Sequence, residues 1–425
     1  MSGVRGAAAT TPARGPAVGS WSHRLARRTN GQDGALTGIL ALANATGVIN
    51  FSGGFPDPSF FPTELLAPIA GDLLSADAAI ALQYAPSEGI ASTREAIADR
   101  LLRTDGRRPA AGELMITSGG IDAVTLIAKS MLDPGDVVVV EEPTYLGAVA
   151  GFAGLDATMR AVPVDEDGLD GDALGALLGR SGAAPVKVLY TIPEYQNPSG
   201  RTLSLPRRLA LVELARRHSL LIAEDVAYRE LGFAGPPLPS LWSIAPDVVV
   251  QMGTYSKTFF PGVRLGWAAG PADVVAQLSV AKQNSDQCAG ALGQRMLEAF
   301  LRGGHFDAQL DRARALYRRR GAAMHDALRQ HLTELGDWTT PTGGFFAWLR
   351  LPGIDTTALA SAARAVDVAY VPGAGFFCEH PDTEHLRLSF SRVTEPDIAE
   401  GVARLTRVAA YARLTDNPAR RRASR

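Results

Sequence analysis

The sequence predicts an α/β protein in which a parallel sheet is flanked by helices and followed by a smaller α+β unit. Three observations carry this expectation. Short β-branched runs alternate with longer helical patterns through the middle of the chain, the signature of βαβ units. From about residue 270 to 335 the pattern becomes long and helical, and a final segment then mixes short strands and helices. The 425 residues exceed one ordinary core; at roughly 100–200 residues per domain they fit two or three domains.

Taken in order, residues 1–20 are rich in Gly, Ala, Pro, Ser and Thr without apolar periodicity and read as a disordered tail. The first 32 residues hold five arginines and no acid, which is similar to an organellar transit peptide. No amphipathic helix precedes Trp21, so a plain flexible arm is the better reading, and no apolar core of a secretory signal is present. Strands are expected at 114–117, 137–142, 186–192, 220–225, 248–253 and 263–269. Helices lie between them, among them IDAVTLIAKSML and PRRLALVELARRH, the latter with Leu209, Val212, Leu214 and Ala215 on one side. The segment FFAWLRLP to LRLSFS forms the smaller unit, and residues 416–425 are a basic, solvated tail. There is no internal repeat.

Composition narrows the function. Apolar residues make up 46% and charged residues 20%, the balance of a globular protein in water. No apolar run approaches the ~18–20 residues that span a bilayer. A net charge of −2 offers no basic excess for nucleic acid or an anionic membrane. Two cysteines, Cys288 and Cys378, make neither a disulfide framework nor a metal cluster, so no metal is expected and a reducing, cytoplasmic setting is. Lys and Arg total 42, yet only Lys129, Lys187, Lys257 and Lys282 are lysines. Lysine-dependent chemistry therefore has four candidates.

In a parallel α/β sheet, ligands bind at the C-terminal ends of the strands. The first strand runs into Ser118-Gly119-Gly120 and then a helix, a turn whose free N–H groups suit a phosphate. No GxGxxG follows any strand, which argues against a nicotinamide or flavin site. Later strands exit into Asn197-Pro198, into Glu224-Asp225 with Tyr228 beyond, and into Ser256-Lys257 with Arg264 beyond. Taken singly, these features read as an Asn-Pro turn, a helix cap and a surface lysine. Lys257 alone among the lysines sits just after a strand's C-terminal end, beside Phe259 and Phe260. Apolar walls and a nearby cation lower an amine's pKa and turn it into a nucleophile toward carbonyls. The order is what specifies a ligand. A phosphate turn, an acid for a ring nitrogen, donors for a phenolate, a lysine for an aldehyde and an arginine together point to pyridoxal 5'-phosphate.

At this point the sequence resembles the fold-type I pyridoxal-phosphate enzymes of the class I/II aminotransferases, nearest the 2-aminoadipate and kynurenine aminotransferase group. The segments that carry the likeness include NFSGGFPDPSFFP (50–62), LQYAPSEGIASTREAIADRL (82–101), ITSGGIDAV (116–124), IPEYQNPSG (192–200), EDVAYREL (224–231), TYSKTFFPGVRLG (254–266) and LRLSFS (386–391). The resemblance implies a large domain with a mostly parallel central sheet flanked by helices, at 69–305, and a smaller α+β domain at 306–415. Residues 21–68 would close over the site and join the small domain.

Position by position, the resemblance makes Lys257 the lysine that binds the cofactor aldehyde and shuttles the proton. Asp225 would hold the ring nitrogen protonated, Asn197 and Tyr228 would bond the ring oxygen, and Tyr145 would stack on the ring. Ser118, Gly119, Gly120, Ser256 and Arg264 would grip the phosphate, and Tyr84 would reach the phosphate of a neighbouring subunit in a homodimer with shared sites. Arg387 would clamp the substrate α-carboxylate, with Gly54 and Asn197 completing that pocket. The reaction implied is a ping-pong exchange between an α-amino acid and a 2-oxo acid, an activity of amino acid metabolism and biosynthesis. Its rival on the same scaffold is a lyase or a decarboxylating or oxidative deaminase, such as C–S β-elimination. A transcription regulator with a winged helix is disfavoured, since only about 50 residues precede NFSGG. Two features fall short of the family pattern: Ser118-Gly119-Gly120 replaces the Ser-Gln-Gln of many relatives, and Arg24, Arg27 and Arg28 are not matched to a dicarboxylate-reading arginine, which leaves a preference for acidic side chains open.

Overall fold

A computed structural model describes residues 21–26, 47–180 and 185–415; the expected tails at 1–20 and 416–425 lie outside the described residues, as do Arg27 and Arg28. The strands in chain order are β1 (Ile49–Asn50), β2 (Leu114–Thr117), β3 (Val137–Glu142), β4 (Thr158–Asp165), β5 (Gly168–Leu169), β6 (Val186–Thr191), β7 (Leu221–Asp225), β8 (Val249–Thr254) and β9 (Gly266–Ala269). After a helical stretch come β10 (Asp337–Trp338), β11 (Phe346–Arg350), β12 (Val368–Ala369), β13 (Val371–Pro372) and β14 (His385–Ser389).

The large sheet has the order β2-β9-β8-β7-β6-β3-β4-β5. Pairs β3–β4, β3–β6, β6–β7 and β7–β8 are parallel, as the βαβ pattern predicts. The sheet is not wholly parallel, however. β9 is antiparallel to both β8 and β2, and β5 is antiparallel to β4. The link from β8 to β9 contains only a short 3-10 turn, Pro261–Val263. A parallel return needs a crossover of about a dozen residues or more, usually a helix, so the chain turns straight back.

Alternate residues of the strands feed two cores, one on each face of the sheet. Ile116, Val139, Leu189 and Ile222 belong to one, and Met115, Val138, Tyr190 and Ala223 to the other. Both faces are therefore covered, which explains the near-continuous apolar runs. The helix Leu205–His218 differs in detail from its expected face. It buries Arg208, Leu211, Val212 and Ala215, the i, i+3, i+4, i+7 stripe, while Leu209 is exposed. Arg208 tolerates that position because Glu194 pairs with it at 2.7 Å.

The smaller sheet, β10-β11-β14-β13, is antiparallel throughout. The helices His305–His331 and Glu395–Thr415 pack against each other beside it. β1 pairs in parallel with β12, and the Phe51 carbonyl accepts from the Ser389 N–H at 2.8 Å. This ties the stretch after Gly47 to the smaller sheet and carries Ser52 and Gly54 toward the large one.

Candidate active site

Strands β2, β3, β6, β7 and β8 run in one direction, so their C-terminal ends share one edge. A cavity of about 260 Å³ opens there. Gly54, Gly120, Tyr145, Asn197, Asp225, Tyr228, Ser256, Lys257, Arg264 and Arg387 all line it. Residues more than 300 positions apart thus meet on one surface, as the order of motifs predicts.

Lys257 lies in the turn after β8 and donates to the Gly54 carbonyl at 2.8 Å. The rings of Tyr228 and Phe345 each stand 5.9 Å from its amine. Burial, reinforced by the Arg387 charge, lowers its pKa to about 8. The amine is thus far easier to deprotonate than an ordinary lysine. Asp225 ends β7 and is buried. Its Oδ2 accepts from the Tyr190 hydroxyl at 2.8 Å and its Oδ1 from the Ala227 N–H at 3.1 Å. Burial raises the pKa of this carboxyl, and those two bonds oppose the rise.

Arg387 projects from β14 and is 4% exposed. Its Nη1 donates to Asn197 Oδ1 and its Nη2 to the Ser52 carbonyl, both at 2.8 Å. Its Nε has no partner, and among the described residues no acid pairs with it. The guanidinium lies 4.3 Å from the centre of the Phe346 ring and lines the cavity beside it. Burial pulls its pKa down to about 10. A buried cation without a counter-ion is costly unless an anionic ligand completes it.

A second guanidinium, Arg264, reaches Ser256 Oγ at 3.3 Å and the Ser118 carbonyl at 3.1 Å. It packs so closely on Gly119 that a Cβ there would lie 2.7 Å from its Nη2. Gly119 also has φ +104°, a backbone conformation that favours glycine. The helix Gly120–Met131 starts at this corner and presents its first N–H groups beside Ser256 and Thr254. Tyr145 caps the next helix, Leu146–Ala153, and burial pushes its phenol up to about 12. Tyr228 packs edge-on against Phe345 and Phe346.

Three expected residues stand off the cavity. Tyr84 is 79% exposed on the surface. Gly119 stands behind the wall, under Arg264. Ser118, expected at the phosphate, has its polar groups engaged beside the cavity: its hydroxyl donates to Asp286 and accepts from Lys282, and its N–H donates to Asp122. Only its carbonyl serves the site, by holding Arg264. Sequence reasoning also passed over Lys282 and Tyr190. Lys282 is fully buried, with Nζ 2.8 Å from Asp122 and 2.7 Å from Asp286. Tyr190 carried one signal: a tyrosine beside Val188 and Leu189 in the buried half of a strand needs a partner for its hydroxyl.

The donor set suits a flat ring with an anion on one side, a basic nitrogen facing Asp225 and an aldehyde within reach of Lys257. Pyridoxal phosphate has those parts, and Arg264 and Arg387, which pair with no acid among the described residues, leave room for its phosphate and for a substrate carboxylate. Fold and site together define the class, a fold-type I transferase. Residues 52–405 match the family Aminotransferase class I and II, and the chain belongs to that family. It is 36% identical over 372 residues to aromatic-amino-acid aminotransferase 1 of Thermococcus litoralis, covering 86% of this chain and 89% of that one. It is 36% identical over 394 residues to the 2-aminoadipate transaminase of Thermus thermophilus, covering 91% and 97%. The crystal structure of Pyrococcus horikoshii kynurenine aminotransferase with PMP superposes with a TM-score of 0.89 at 33% identity, covering 92% and 98%. The protein is an aminotransferase of the group the motifs point to. No helix among the described residues is long and apolar enough to cross a membrane.

Proposed function

We propose that this aminotransferase holds pyridoxal 5'-phosphate in the 260 Å³ cavity and exchanges amino groups between apolar or aromatic α-amino acids and 2-oxo acids. The observation that carries this reading is a pair of guanidinium groups, Arg264 and Arg387, with no acidic partner among the described residues, at separate corners of a cavity that also presents Lys257 and Asp225. When bound, the cofactor supplies a carbonyl that accepts the amino group and a ring that takes up the electron pair of the substrate Cα.

The chain supplies the rest. Lys257 would hold the cofactor at its aldehyde carbon and would move the proton at the substrate Cα; its lowered pKa suits it to act as a base near neutral pH. Asp225 holds a proton at the ring nitrogen. Asn197 and Tyr228 donate to the ring oxygen, and Tyr145 covers one ring face. Arg264, Ser256 and the first N–H groups of Gly120–Met131 take the phosphate. Arg387 takes the α-carboxylate in a bidentate pair, steadied by Asn197 and backed by Gly54, where a Cβ would strike the Phe346 ring at 2.8 Å. The side-chain preference rests on Phe55, Ile121, Leu146, Pro261 and Phe346, which form an apolar wall. The Thermococcus relative is named for aromatic amino acids and the Pyrococcus one for kynurenine, which agrees with this preference, whereas the Thermus relative is named for the acidic 2-aminoadipate.

The same reading divides the chain into a cofactor-binding domain at 69–305 and a smaller domain at 306–415, joined by 21–68. It makes the working unit a homodimer. The two free cysteines fit a cytoplasmic setting.

The test uses purified protein loaded with pyridoxal phosphate. Phenylalanine added without acceptor should convert the cofactor absorbance to that of the amine form, and a 2-oxo acid should restore it. Borohydride reduction should place the label on Lys257. Release of ammonia with no conversion would make the enzyme a lyase or deaminase. Label on another lysine would overturn the site, and faster conversion by 2-aminoadipate would overturn the side-chain preference.

A further inference from the structure

Tyr190 does not touch the cavity, yet it is tied to the acid that does. It lies in β6, fully buried, with its ring edge-on to Phe152 at 5.9 Å. Around it on the same sheet face stand Val138, Val140, Ala223 and Met252, which offer its hydroxyl no side-chain partner. The hydroxyl donates to Asp225 Oδ2 at 2.8 Å while the Ala227 N–H serves Oδ1. Both carboxylate oxygens are therefore held and the plane of the group is set.

We propose that Tyr190 is a positioning residue that keeps Asp225 a weaker base than the cofactor's ring nitrogen, so that the proton between them stays on the ring. This rests on the reading of Asp225 given above. A donor to a carboxylate stabilises its ionised form and lowers its basicity. Burial works the other way and favours the neutral acid. Other groups facing Asp225 and Tyr190 are Glu141 from β3, Tyr145 beyond it, Tyr228 after β7, and Lys257 after β8. Among the described residues none of these four donates to Asp225, so none replaces the Tyr190 hydroxyl. Without that hydroxyl, Asp225 draws the proton toward itself and the ring becomes a poorer electron sink.

The test is Tyr190→Phe, which keeps the ring against Phe152, compared with Asp225→Asn. Each is loaded with ring-¹⁵N-labelled pyridoxal phosphate, and the nitrogen's chemical shift reports its protonation. Tyr190→Phe should move the resonance toward the unprotonated value and lower kcat about 10- to 100-fold, the scale of one hydrogen bond to a charged group. KM should stay within about threefold, because the carboxylate clamp is untouched. If Asp225→Asn leaves the nitrogen protonated, the reading of Asp225 itself falls. If Asp225→Asn moves the resonance while Tyr190→Phe keeps the parental shift and kcat, the role of Tyr190 alone is overturned. Should Tyr190→Phe not fold, 3-fluorotyrosine at 190 gives the second arm. As a stronger donor it should keep the nitrogen protonated and kcat at least parental, and loss of both would refute the proposal.

Discussion

At the scale of single residues, Arg387 shows what burial without a counter-ion implies. Its neighbours on β14, Leu386 and Leu388, are core residues, so a charge between them needs a chemical reason. The Asn197 and Ser52 oxygens satisfy two of its donors but neutralise none of its charge. Arg387→Lys should therefore raise KM for amino acids severely, a loss of about 2–5 kcal/mol by analogy with truncated buried pairs. A lysine carries the charge without the planar fork that matches a carboxylate. The bound cofactor's spectrum should stay nearly parental. Steady-state kinetics beside an absorbance spectrum decide the matter; parental KM and kcat would remove Arg387 from the clamp. Residues of this kind were legible because each follows or lies on a recognisable strand. Ser118 was not, since Lys282, 164 positions away, claims its hydroxyl and nothing local announces that.

At the scale of elements, the turn from β2 into the helix Gly120–Met131 is held from behind by the helix Ala272–Gln283. Lys282, on that second helix, bonds Ser118, Asp122 and Asp286 together. Asp122 also sits in the first turn of its helix, where the dipole favours a negative charge. Lys282→Met would leave two neighbouring carboxylates without their cation. Breaking a fully buried pair costs about 3–5 kcal/mol; Asp286 is 41% exposed, so a smaller loss, about 2–3 kcal/mol, is expected. Urea unfolding of the cofactor-free protein measures that loss, and cofactor titration should show weaker binding as the turn loosens. Unchanged stability would mean that solvent replaces the lysine. Elements were legible where periodicity was clean, as in β3 and β7. β4 went unread because TMRAVPVD interrupts its apolar positions with Arg160 and Pro163 at the sheet's margin. The direction of β9 depends on the missing crossover helix rather than on anything inside the strand.

At the scale of the whole molecule, the described chain leaves Leu74, Ile80, Leu82 and Tyr84 exposed together along one stretch at 49%, 51%, 64% and 79%. In the homodimer proposed above, a second copy that placed Tyr84 at its partner's Arg264 corner would cover this stretch. Tyr84→Phe should then weaken cofactor binding about 10- to 100-fold, the scale of one hydrogen bond to a charged group. Lys257→Ala should be inactive. In a hybrid of the two, one site carries both defects, while the other combines an intact Lys257 with the partner's intact Tyr84. At limiting cofactor, a mixture in which subunits have exchanged should be more active than the sum of the separate proteins. Native mass spectrometry of one isotope-labelled parent shows whether hybrids have formed. Hybrids without recovered activity, or a Tyr84→Phe protein that binds the cofactor as tightly as the parent, would mean that each subunit builds its phosphate site alone.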